Sequence, residues 1–162
     1  ALSFAELGYE VAYFADSDRE VSPSVTELSR AGVCVLCWSG SMSTEQRIFT
    51  DLPWRSVQEA VDLAIEEFGI ESVIAAVSHR LGLSGNVLTG VVDSWRSDNV
   101  SEQDIRNALG CAAKGVDKRP AWYKRYDRAE RLAGVILKAL PEIIRTDLGG
   151  KLQSLETWCY AG

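Results

Sequence analysis

Histidine occurs once in the chain, at His79, and has no second His or Cys close to it in sequence. That makes His79 a surface or half-buried helical residue rather than a catalytic one. Long apolar runs are missing too: no stretch of about 18 apolar residues exists, so nothing in the sequence spans a membrane. An excess of positive charge is also absent. The net charge is −6, which excludes a chain that seeks nucleic acid as a polycation. Phosphate binding would have to come from a local basic patch or from metal ions.

Cysteine is sparse. Of the four, Cys34 and Cys37 form a C-x-x-C, but no second such pair completes a four-ligand zinc site. They sit in the apolar run Val33-Cys-Val-Leu-Cys-Trp38, which reads as a buried strand, and positions three apart on a strand face opposite sides. Core packing is the preferred role, and unpaired thiols suit a reducing cytoplasm. No internal repeat or low-complexity segment is present. The first residues, Ala1 to Leu7, lack an initiator Met and the layout of a signal peptide. They read as the end of a helix, and the chain is expected to be part of something longer.

What is there suffices for one folded domain, with or without an appendage: 162 residues, 46% of them apolar, can bury a proper core. The pattern centres on Gly8 to Asp18. Val11 to Ala15 is a short apolar strand that ends in Asp16-Ser17-Asp18, two carboxylates on one face if the chain stays extended. Like charges that close repel unless a cation or water separates them. A hard divalent ion could be held there by one or two carboxylates together with substrate phosphate. The bland alternative is a solvated loop in which Asp16 or Asp18 caps the next helix.

Ser22 as N-cap, Pro23 at the first helical position and Gly32 as stop predict a helix leading to the second strand, Val33 to Trp38. Strand, crossover helix and strand make a parallel βαβ unit. Its second strand should deliver Ser39 to Glu45 beside the aspartates, bringing Glu45 and the hydroxyls of Ser41, Ser43 and Thr44. Glu45 also suits the first turn of a helix through Gln46 to Phe49. Helices follow over residues 54–68, stopped by Gly69, and from Ile70 to Leu81. Residues 82–99 read as loops around a short apolar element, Val87 to Val92. Ser101 and Asp104 open a helix over residues 102–113. Lys114 to Tyr126 is basic and aromatic, with five Lys or Arg in thirteen residues. Such interleaving suits phosphates and bases, but most of these residues fit better as a turn whose Trp and Tyr pack on the core. A helix from Arg128 to Leu140, closed by Pro141, precedes a tail with one short helix at most.

The Asp16-Ser17-Asp18 strand end, the segment Trp38-Ser-Gly-Ser-Met-Ser-Thr-Glu45 through Pro53, and Trp122-Tyr123-Lys124 together resemble the Toprim domain of overcoming-lysogenization-defect (OLD) family nucleases, most closely class 2. The likeness covers about residues 8–140. It implies an α/β Toprim-like parallel sheet flanked by helices, with an additional helical part in the C-terminal half. The core would span about 8–53, a helical part about 54–113, and the basic segment and last helices about 114–162. It further implies a DNA endonuclease that uses two Mg²⁺ or Mn²⁺ ions, with Ca²⁺ as an inert substitute. Asp16 would touch both metals, Asp18 would lie beside it, and Glu45 and Ser43 would complete one metal site. Lys124 would support the transition state, with Lys114 and Lys118 as weaker candidates. The family's opening strand, ending in Glu-Gly, has no counterpart before Asp16. That strand and the ATPase domain of the parent protein are expected upstream, with dimerisation through the ATPase part. Two further readings compete: a receiver- or dehalogenase-like phosphoryl-transfer domain, and a non-catalytic interaction domain. Arg19-Glu20 after the aspartates and the setting of Lys124 fit the phosphoryl-transfer pattern less well.

Overall fold

The computed structural model describes residues 1–83, 92–95, 100–115 and 120–161. The chain is mixed α/β and mostly helical, with a two-stranded parallel sheet flanked by helices. It divides into two compact units, Ala1–Thr44 with Ile144–Gly162, and Glu45–Ile143. The boundary thus falls at residue 44 rather than near 53, and the C-terminal helix belongs to the first unit.

In the first unit, α1 (Leu2–Glu6) precedes β1 (Ala12–Ala15), which pairs in parallel with β2 (Cys34–Cys37). The register sets Ala12 against Cys34 and Ala15 against Cys37, so both strands end at the same edge. Between them lies α2 (Val25–Arg30). Its N-cap is Ser24, not Ser22. Ser24 has Glu27 three residues on, and the two close a reciprocal capping box; Ser22 has Val25 at that place, which cannot reach back. Leu28, only 1% exposed, is the buried anchor of α2. Gly32, at φ +80°, makes the left-handed turn into β2. The tail holds a full helix, α8 (Asp147–Ala161), rather than a short one. Its start is held by Asp147, which accepts the Ser39 N–H at 2.8 Å and the Ser39 hydroxyl at 2.9 Å.

The second unit is helical. It takes up α3 (Thr44–Asp51) after its first residue, then α4 (Trp54–Phe68), α5 (Ile70–Arg80), a 3₁₀ turn (Val92–Trp95), α6 (Glu102–Lys114) and α7 (Tyr126–Ile143). The apolar spacing read in residues 54–68 is realised: Val57, Ala60, Val61 and Ala64 are buried. Ser101 and Asp104 close the capping box that opens α6. The proposed element Val87 to Val92 lies outside the described residues except for its last member. Pro141 does not end α7, which runs on to Ile143. Pro141 and Leu137 are both exposed, so water can serve the carbonyl that the missing N–H leaves unbonded.

The ion pairs Arg55–Glu142, Glu59–Lys138, Glu66–Arg131 and Glu67–Arg128 match ascending positions on α4 with descending positions on α7, so the helices run antiparallel. Asp62, in the middle of this ladder, has acids on either side. Partial burial first, then Glu66 and Glu59, raise its pKa above the ordinary carboxylate value. A raised pKa in the folded state means that ionised Asp62 destabilises the fold at neutral pH, and that the penalty fades on acidification. Asp62→Asn should therefore raise stability at pH 7 by about a few tenths of a kcal/mol, since solvent screens the site. The gain should vanish near pH 3; thermal melts at the two pH values check it.

Helices α3 and α6 cross at a glycine. A Cβ on Gly110 would stand 2.6 Å from the Gln46 Cα, a contact with backbone that cannot swing away. Helix propensity alone makes Gly110→Ala stabilising by about 0.5–1 kcal/mol. Forcing the helices apart costs about 1–3 kcal/mol, so a net loss is expected in urea unfolding. A gain would contradict the close approach.

Candidate functional site at the strand ends

The carboxyl ends of β1 and β2 are stitched together. Ser17 N–H donates to the Met42 carbonyl at 3.1 Å, and Met42 N–H donates back to the Ser17 hydroxyl oxygen at 3.1 Å. The Ser17 hydroxyl also reaches the Gly40 carbonyl. The loop after β1 and the loop after β2 thus form one edge, as adjacent parallel strands require.

Asp16 joins the same edge. Its Oδ1 accepts two hydrogen bonds from Thr44, from the backbone N–H at 2.7 Å and from the hydroxyl at 2.6 Å. Thr44 is the first residue of α3, whose opening N–H groups have no partner inside the helix. A carboxylate there satisfies one of them and sits at the positive end of the helix. Asp16 does cap a helix, but it is α3, reached across the sheet, not the next helix in sequence. The Trp38 indole N–H donates to the Thr44 hydroxyl at 2.9 Å. Trp38 is itself buried, with its ring edge-on to Phe14 at 4.8 Å.

Asp16 and Asp18 are both half-buried, Ser41 is exposed and Ser43 is fully buried. Glu45, half-buried, follows Thr44 directly in the first turn of α3 and is the first residue of the second unit. Among the described residues, no three or more His, Cys, Asp or Glu side chains are grouped so as to hold a metal ion. The donors at the edge are two carboxylates and hydroxyls rather than a three-acid cage. This set of hard oxygens fits Mg²⁺ or Mn²⁺, which take one or two carboxylates and complete their shell with water and substrate phosphate.

The candidate lysines belong to the second unit. Lys124 is exposed, Lys114 closes α6, and Lys118 lies outside the described residues. The segment before Lys124 is anchored: Trp122 N–H donates to the Ala113 carbonyl at 2.9 Å, and the Tyr123 hydroxyl donates to the Ala60 carbonyl at 2.6 Å. Both rings are buried beside Phe49, so Trp122 and Tyr123 pack on the core as expected, whereas Tyr126, the last aromatic of the basic stretch, is 83% exposed. Burial pushes the Tyr123 hydroxyl far above the usual tyrosine pKa, which keeps it a proton donor at every working pH. His79 is exposed. The four cysteines are unpaired, and Cys34 and Cys37 are half-buried.

Sequence reasoning missed Asp147 and the part played by Trp38. Asp147 lies 108 residues from Ser39, and no local pattern announces that pairing. Trp38 read only as the end of an apolar strand.

Comparison with known proteins finds no match: no family model, no curated protein and no solved structure is similar to this chain.

Proposed function

We propose that this chain is a Toprim-like, divalent-metal-dependent DNA endonuclease domain of a larger cytoplasmic ATPase–nuclease. One observation carries the reading: the ends of two parallel strands are bonded to each other through Asp16, Ser17, Met42 and Thr44, and Asp18 follows Ser17 directly in the chain. Functional groups of open α/β sheets gather at such edges. Asp16, Asp18 and Ser43 would hold Mg²⁺ or Mn²⁺. Glu45, as a further ligand, and Lys124, as the cation facing the scissile phosphate, come from the resemblance.

When bound, the ions would supply Lewis-acid stabilisation of the phosphate oxygens and a bound water that loses its proton more readily than bulk water. The residues of the chain would then hold the carboxylates in place and admit a polyanion to an otherwise acidic edge. Among the described residues no helix is long and apolar enough to cross a membrane.

The test is nicking of supercoiled plasmid by the protein in Mn²⁺ or Mg²⁺. Activity is expected with metal and none in excess EDTA; cleavage that survives EDTA sinks the reading. Lys124→Ala should slow nicking while metal affinity stays near wild type. If both fall together, Lys124 is a structural residue.

A second reading has an observation of its own. The two donors of Thr44 already occupy Asp16 Oδ1, as a purely structural cap would require. A non-catalytic interaction domain would show that geometry and bind no metal.

A further inference from the structure

We propose that Thr44, with Trp38 behind it, is the positioning residue that fixes the Asp16 carboxylate for a divalent cation. The inference rests on the reading that Asp16 holds such an ion, and adds which residues aim it.

The direction of each hydrogen bond follows from chemistry. An indole N–H can only donate, so the 2.9 Å contact makes the Thr44 hydroxyl the acceptor from Trp38. The one proton of that hydroxyl is then directed to its other partner, Asp16 Oδ1, at 2.6 Å. The Thr44 N–H, at 2.7 Å, binds the same oxygen. Among the described residues, both donors to the Asp16 carboxylate reach the same oxygen, Oδ1. Rotating the carboxylate would break two charge-assisted bonds at once, which are stronger than neutral ones. Trp38 is 4% exposed and packs edge-on against Phe14, so the donor behind Thr44 is itself buried.

Groups that hydrogen-bond a metal ligand from behind orient it, and their loss weakens binding by about 10–100-fold. Free Mn²⁺ can be followed by its electron paramagnetic resonance signal while protein is added. Thr44→Val keeps the backbone N–H and the shape but removes the hydroxyl; it should weaken Mn²⁺ binding by about 10–100-fold. Thr44→Ser restores the hydroxyl and should restore affinity to near wild type. Trp38→Phe should fall between the two. Melting temperatures without metal separate loss of aim from loss of fold. Should Thr44→Val be unfolded at the assay temperature, Trp38→Phe decides in the same way.

If Asp16→Asn loses Mn²⁺ while Thr44→Val binds as tightly as wild type, the positioning role is overturned and the metal reading survives. If wild-type protein leaves all Mn²⁺ free, both fall.

Discussion

Arg106→Met should destabilise the protein by about 3–5 kcal/mol, because it takes a charged donor away from buried backbone carbonyls. Arg106 lies on α6 with its side chain 10% exposed. One guanidinium nitrogen donates to the carbonyls of Phe49 and Leu52, each at 2.8 Å, at the end of α3 where carbonyls lack partners within the helix. Another meets Glu102 at 2.7 Å, and the group stacks over the Trp54 ring at 5.3 Å. Methionine fills much of the same space but serves none of these acceptors. Each hydrogen bond from a charged donor is worth about 1.5–3 kcal/mol, which accounts for the total. For a chain of this size the melting temperature should fall by about 10 °C. Calorimetric unfolding checks it; a loss under about 1 kcal/mol would mean that water replaces the guanidinium at no cost.

Asp16→Asn and Asp16→Ala should part company. The amide oxygen of asparagine can still accept both Thr44 donors, so the stitched edge survives. Stability should drop by only about 1 kcal/mol, the difference between charged and neutral acceptors. Alanine leaves the N–H and hydroxyl of Thr44 without their acceptor, at a cost of about 1–3 kcal/mol each where burial keeps water out. Metal-dependent nicking should be lost in both variants. An asparagine variant that folds like wild type yet cuts no DNA would separate the cap from the ligand. One that cuts at the wild-type rate would reduce Asp16 to a cap.

The sequence was legible where the signals are local. The helix over residues 54–68 declared itself by spacing, α6 by Ser101 and Asp104, and the stops by Gly32 and Gly69. The pairing of the two strand ends was also legible, because parallel neighbours must finish on one edge. The N-cap of α2 is masked by Pro23: the cue for a proline at the first helical position points to Ser22 and competes with the capping box that begins at Ser24. The helix through Pro141 was hidden because an exposed carbonyl tolerates a missing donor. Long-range bonds left no trace: Ser39 to Asp147, Arg106 to the end of α3, and the glycine contact between Gly110 and Gln46 all join residues far apart in the chain. The candidate site followed the same division. Asp16 and Asp18 stood out as a pair, whereas the hydroxyl and indole that aim Asp16 depend on distances that only the fold supplies.

Calorimetric titration of Mn²⁺ into the wild-type protein and into Asp16→Asn is the most direct trial of a cation-holding edge. Saturable binding in the first and none in the second is the expected pair of results. Wild-type protein that evolves no binding heat, or an asparagine variant that binds as well, would leave the two strand ends a structural seam and nothing more.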